Sequence, residues 1–125
     1  MRRRSAIYRV CGSWGAAVAM AVAACSALAH AIVVSSQPAA GAVVKQKDAA
    51  IELRFNSRID HRRSRLFLIR PDGTRSELVI LDETRPELVA AHAKGLTPGS
   101  YRIRWQVLSV DGHITRGDIP FSVAQ

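Results

Sequence analysis

Sulfur is nearly missing from this 125-residue chain, and the little there is falls at one end. Both cysteines (Cys11 and Cys25) and both methionines (Met1 and Met20) precede residue 30. With that leading segment removed, disulfides, thiolate metal sites, cysteine nucleophiles and thioether sites for Cu(I) are excluded. Aromatic residues make up only 6% of the chain. None of them runs beside the scattered arginines, so no nucleic-acid partner is expected. Helical patterning is missing too, since no stretch after residue 30 sustains a 3.6-residue apolar period. Nor does that part of the chain hold an internal repeat, a linker or a low-complexity tract.

What is present begins with an export signal. Arg2, Arg3, Arg4 and Arg9 form a basic start without acidic residues, and Gly15 to Ala29 is a run of small or apolar side chains. The run closes on Ala27-Leu28-Ala29, a signal-peptidase pattern directly before His30. It is too short and too rich in alanine to read as a membrane span. Cleavage there divides the chain into a signal peptide, residues 1–29, and one domain, residues 30–125. The exported domain has 96 residues, with fourteen basic side chains against ten acidic, so the formal charge of +8 falls to +4. The expected outcome is export of residues 30–125. A competing pattern, Val22-Ala23-Ala24-Cys25, resembles a lipobox and would instead anchor a lipid at Cys25.

The exported domain alternates with period two. Ile51, Leu53 and Phe55 alternate with Glu52 and Arg54, and Tyr101, Ile103, Trp105 and Val107 alternate with Arg102, Arg104 and Gln106. Such patterns are half-buried strands. Seven strands are predicted: 32–35, 49–55, 65–70, 77–81, 88–91, 100–109 and 118–123. Pro71-Asp72-Gly73 is a turn signal between two of them. Seven short strands at this spacing predict an all-β fold, a Greek-key, immunoglobulin-like β-sandwich. Its core should hold Ile51, Leu53, Phe55, Phe67, Ile69, Tyr101, Ile103, Trp105, Val107, Phe121 and Val123.

All four histidines, His30, His61, His92 and His113, lie in the exported part. His61 sits in the charged stretch Asp60-His61-Arg62-Arg63 and His92 in Ala90-Ala91-His92-Ala93, and both read as solvated surface residues. His113 closes Asp111-Gly112-His113. In extended backbone, residues two apart point the same way with Cα atoms roughly 6.5–7 Å apart, so a carboxylate and an imidazole can converge on one cation. The alternation from Tyr101 would continue through Ser109 to both residues if the strand ran on without a bulge. The alternative is that Asp-Gly makes a plain turn. His30, once N-terminal, offers an α-amine and an imidazole Nδ1 that close a six-membered chelate. Three nitrogens and one carboxylate oxygen suit a tetragonal Cu(II) site, and Zn(II) with two His, one Asp and a water is the geometric rival. An enzyme is not expected. Ser109, Asp111 and His113 share one short segment that cannot supply a nucleophile, a base and an orienting carboxylate in sequence. Asp82, Glu83 and Glu87 read as solvated loop charges. Oxygen chemistry at a copper centre has no substrate surface to support it, and an immunoglobulin-like interaction module without a metal remains the contrasting class.

Several stretches together resemble the CopC family of periplasmic copper-resistance proteins. They are His30-Ala31, Ser36-Gln37-Pro38-Ala39-Ala40-Gly41-Ala42, Ile51-Glu52-Leu53-Arg54-Phe55, Leu96-Thr97-Pro98-Gly99-Ser100-Tyr101, Trp105 through His113, Gly117 and Phe121-Ser122-Val123. The likeness implies a small periplasmic β-sandwich that binds one Cu(II) per chain through His30, Asp111 and His113. It implies a role in copper storage, resistance or delivery, with an inner-membrane copper transporter of the CopD type as partner. The protein itself is expected to be a monomer. Two departures stand out. The exported chain lacks the methionine-rich loop of one branch of the family, and after Phe55 it has Asn56-Ser57-Arg58 where a relative carries a carboxylate.

Overall fold

A computed structural model describes residues 31–125; the segment expected to be a signal peptide, with Cys25, and His30 lie outside the described residues. Among the described residues, eight strands follow one another without a helix: β1 (Val33–Gln37), β2 (Val43–Val44), β3 (Ala49–Phe55), β4 (Ile59–Ile69), β5 (Arg75–Leu78), β6 (Leu88–Ala93), β7 (Gly99–Ser109) and β8 (Ile114–Val123). They form a three-stranded sheet, β1-β3-β6, and a five-stranded sheet, β2-β8-β7-β4-β5. The two sheets pack face to face as an immunoglobulin-like sandwich.

The alternating residues face inward as their parity requires. In the β7–β8 pair, Tyr101 lies opposite Phe121, Ile103 opposite Ile119 and Trp105 opposite Gly117. Gly117 is needed for space, because a Cβ there would sit 2.5 Å from Trp105 Cζ2. The indole fills that room and meets Phe55 of the other sheet edge-on, with ring centroids 5.2 Å apart. Ile51, Leu53 and Phe55 supply the facing layer, and Val89, Ala91 and Ala93 of β6 extend it. At the bottom of β7 the Tyr101 hydroxyl donates to the Thr97 carbonyl at 2.9 Å and accepts from the Thr97 N–H at 2.9 Å. This is the tyrosine corner of immunoglobulin-type sandwiches, and it satisfies a buried hydroxyl while pinning the β6–β7 connection.

Three expectations need correction. The strand count is eight rather than seven, because β2 is a two-residue strand running parallel to β8, with Val43 opposite Ser122. Two residues carry no readable period. Some strands also start earlier than predicted: β5 begins at Arg75, β8 at Ile114 and β4 at Ile59, where a register shift between Asp60 and Arg65 hides it among charged residues. Phe67 is not in the central core. Leu66 and Leu68 point inward, opposite Trp105 and Ile103, which leaves Phe67 on the outer face beneath the Arg75 guanidinium, 4.6 Å from its ring centroid. Leu66-Phe67-Leu68-Ile69 is unbroken apolar sequence and has no parity of its own, so pairing with β7 sets it. Ile69 is buried but lies outside the central cluster.

The strand ends gather one rim of the sandwich. Ile59 at the start of β4 pairs with Ser109 at the end of β7, and Val33 at the start of β1 pairs with Phe55 at the end of β3. The β7–β8 turn, the 56–58 connection and the incoming chain at Ala31 therefore share that rim.

Candidate metal centre

Asp111-Gly112-His113 is a tight hairpin turn and not a continuation of β7. The Ser109 N–H donates to the His113 carbonyl at 2.9 Å, and the Gly112 N–H donates to the Ser109 carbonyl at 2.9 Å. Gly112 has φ +93°, a left-handed conformation that glycine adopts without the Cβ penalty. The strand-parity route to convergence is thus overturned, and the turn reading of Asp-Gly is right about the backbone. Convergence occurs all the same, because the turn folds the two side chains together: His113 Nδ1 lies 3.3 Å from Asp111 Oδ1.

Ser109 organises the pair. It is 2% exposed, its hydroxyl donates to Asp111 Oδ1 in a short hydrogen bond, and the same oxygen is 3.1 Å from the His113 carbonyl oxygen. The His113 N–H donates to Asp111 Oδ1 at 3.2 Å. The Ser109 hydroxyl above all, then the His113 backbone and ring, hold the Asp111 carboxyl below its ordinary range. Asp111 is therefore anionic and held in one orientation at neutral pH, as a metal-binding carboxylate needs to be. Sequence reading missed Ser109, although a serine two residues before Asp-Gly was the available signal.

The donor set fits a small cation in part. Two donors each about 2.1 Å from one ion lie about 3 Å apart when adjacent in its coordination shell, close to the observed separation. The side chains of His113 and Asp111 are 52% and 43% exposed, so an ion can reach them. Among the described residues, however, no group of three His, Cys, Asp or Glu side chains comes together. The turn thus offers two candidate donors, and a metal site there would need more from elsewhere.

The incoming chain is brought to the same place. The Ala31 carbonyl accepts a hydrogen bond from Thr115 Oγ1 at 3.2 Å, two residues past His113, and Ala31 is 3% exposed within the core cluster. The Ile32 N–H donates to Asn56 Oδ1 at 2.8 Å, and the Asn56 N–H donates to the Ile32 carbonyl at 3.0 Å. The connection that holds Asn56 is itself tied to the turn, since the Val110 N–H donates to the Arg58 carbonyl at 3.1 Å.

The other two histidines stand apart from this arrangement. His61 is not simply solvated: its Nε2 is 2.6 Å from the Leu88 carbonyl oxygen, which links β4 of one sheet to β6 of the other. His92 is exposed on β6, opposite Ala50.

Comparison with known proteins bears on what this rim does. The family model of the CopC domain matches residues 33–124. Protein YobA of Escherichia coli K12 is 33% identical over 101 residues, covering 78% of this chain and 82% of that protein. Copper resistance protein C of Xanthomonas campestris pv. juglandis is 32% identical over 124 residues, covering 85% and 89%. Among solved structures, CopC from Methylosinus trichosporium OB3b superposes with a TM-score of 0.68 at 28% identity, covering 75% of this chain and 93% of that one.

Proposed function

This chain belongs to the CopC family, which places its function in copper handling, and from that membership we propose that it is a non-enzymatic periplasmic Cu(II)-binding protein with one site per chain. Export with cleavage before His30 gives residues 30–125 a free N-terminal amine. The site combines that amine and the His30 Nδ1 with the His113 imidazole and the Asp111 carboxylate. Copper is stored there or delivered, with an inner-membrane transporter of the CopD type as receiver.

One observation carries this reading: Thr115, two residues from His113, hydrogen-bonds the Ala31 carbonyl. That bond holds Ala31 beside the two-donor turn, and in this reading the residue before it supplies both donors that the turn lacks. The absence of cysteine and methionine from residues 30–125 favours Cu(II) over Cu(I), and nitrogen and oxygen donors hold Cu(II) more tightly than other divalent first-row ions.

The test is copper titration of the exported protein against a competing chelator, with electron paramagnetic resonance (EPR) of the complex and mass spectrometry of the free protein. The expected results are a mass beginning at His30, one tightly bound Cu(II), an axial spectrum with nitrogen coupling and no tight Cu(I) site. Zn(II) binding as tight as Cu(II) would overturn the metal assignment. A lipid on Cys25 would remove the amine and overturn the ligand set.

A further inference from the structure

The approach of the N-terminal segment to the turn is built by two side chains that no reading of ligand types selects. Antiparallel pairing of β1 with β3 ends at Val33 opposite Phe55, and one further step would set Ile32 opposite Asn56. The Asn56 N–H makes its ladder bond to the Ile32 carbonyl at 3.0 Å, but the Ile32 N–H goes to the Asn56 side-chain Oδ1 at 2.8 Å. An amide oxygen thus replaces the backbone carbonyl. The main chain is released into the 56–58 connection, where Arg58 binds the turn, while the N-terminal arm is still paired to its last residues. On the opposite side Thr115 Oγ1 holds the Ala31 carbonyl. The arm is gripped from both sheets, by Asn56 after β3 and by Thr115 in β8.

We propose that Asn56 and Thr115 are positioning residues for copper: they hold the arm so that the residue before Ala31 meets the Asp111–His113 pair without an ordering cost at the moment of binding. The inference rests on the reading that His30 supplies ligands. Immobilising a donor beforehand raises affinity because less conformational freedom is lost on binding. Neither residue touches the metal.

The test is a set of thermodynamic cycles. Asn56→Ala and Thr115→Val are each compared in the exported protein and in a form that keeps one Met before His30, which converts the amine into an amide. In the exported protein each substitution should weaken Cu(II) binding about fivefold to tenfold, the scale of one lost hydrogen bond. Thr115→Ser, which keeps the donor, should restore it. In the Met-extended form the same substitutions should have little further effect, because the ligand they position is already disabled. In the copper-free protein, amide exchange at Ala31 and Ile32 should speed up in Asn56→Ala. Equal weakening in both forms would show a purely structural role and overturn the proposal, as would unchanged affinity in the exported protein. If the Met extension alone leaves copper affinity and the EPR spectrum unaltered, the terminal-amine reading has failed, and the positioning role falls with it.

Discussion

The five-stranded sheet contains the same turn twice, once at each end. In Arg70-Pro71-Asp72-Gly73-Thr74, between β4 and β5, the Arg70 N–H donates to the Thr74 carbonyl and the Gly73 N–H to the Arg70 carbonyl, both at 2.9 Å. Asp72 Oδ1 accepts from the Thr74 N–H at 2.9 Å and from its hydroxyl at 2.7 Å. In Ser109-Val110-Asp111-Gly112-His113 the backbone bonds are the same, and Asp111 accepts from the corresponding N–H. Gly73 and Gly112 have φ of +84° and +93°, and both aspartates are held below their ordinary range by hydrogen bonds to the side chains around them. The two turns differ in the residues at their ends, Arg and Thr against Ser and His, and in what lies beside them. Asp-Gly is therefore a folding device in both places. It becomes a candidate metal centre only where the closing residue is an imidazole and the N-terminal segment is tied alongside.

That contrast is broken most decisively by substitution in the two turns. His113→Ala or Asp111→Ala should weaken Cu(II) binding by orders of magnitude in chelator competition, whereas Asp72→Ala and Thr74→Ala should leave it unchanged. Thr74→His rebuilds the Asp-Gly-His sequence at the far end without an adjoining arm, and it should create no second tight site. A second equivalent Cu(II) in that variant would show that the turn suffices and the N-terminal segment does not matter.

Glycine substitutions separate folding from binding. Gly117→Ala forces a methyl into the Trp105 indole and should cost about 1–3 kcal/mol, or roughly 4–8 °C of melting temperature per kcal/mol in a domain of this size. Gly73→Ala and Gly112→Ala impose a left-handed backbone on alanine at about 1–2 kcal/mol each, and similar melting shifts are expected. Only Gly112→Ala should also weaken copper. Equal copper defects in both would mean that the binding change reflects global destabilisation.

The loop histidines should show smaller effects. His61→Ala removes the link to the Leu88 carbonyl and should cost about 1 kcal/mol, while His92→Ala should stay within about 0.5 kcal/mol. Neither should alter copper affinity. A large copper defect in His92→Ala would place the site elsewhere.

Acidification sharpens the comparison further. Asp72 and Asp111 both have folded-state values lowered from about 3.8. Their contribution is present above that value and is lost only as pH falls below about 4. Between pH 7 and 5 the turns should hold and the copper-free melting temperature should change little on their account. Copper should nevertheless be released across that interval, because protons compete for imidazole and amine nitrogen. Release delayed until below about pH 4 would make the carboxylate the controlling ligand.

Sequence alone determined the class of fold and which residues are candidate ligands. The period-two runs at residues 51–55 and 101–107 needed no context, because alternation across a pleated strand is a local property and one buried face enforces it. Asp111 and His113 were legible as a pair because they lie two residues apart, so that either an extended strand or a turn brings them together. Only the tertiary structure decided which of the two it is. It also decided that Leu66 and Leu68 and not Phe67 enter the core, that Val43–Val44 form a strand against β8, and that His61 bridges the sheets. Above all it decided that Asn56 and Thr115, far apart along the chain, grip adjacent residues of the N-terminal arm, Ile32 and Ala31. These outcomes share a physical reason: each depends on which backbone group of a distant strand is left with a hydrogen bond to make, and pairing across the sandwich settles that where no period in the sequence records it.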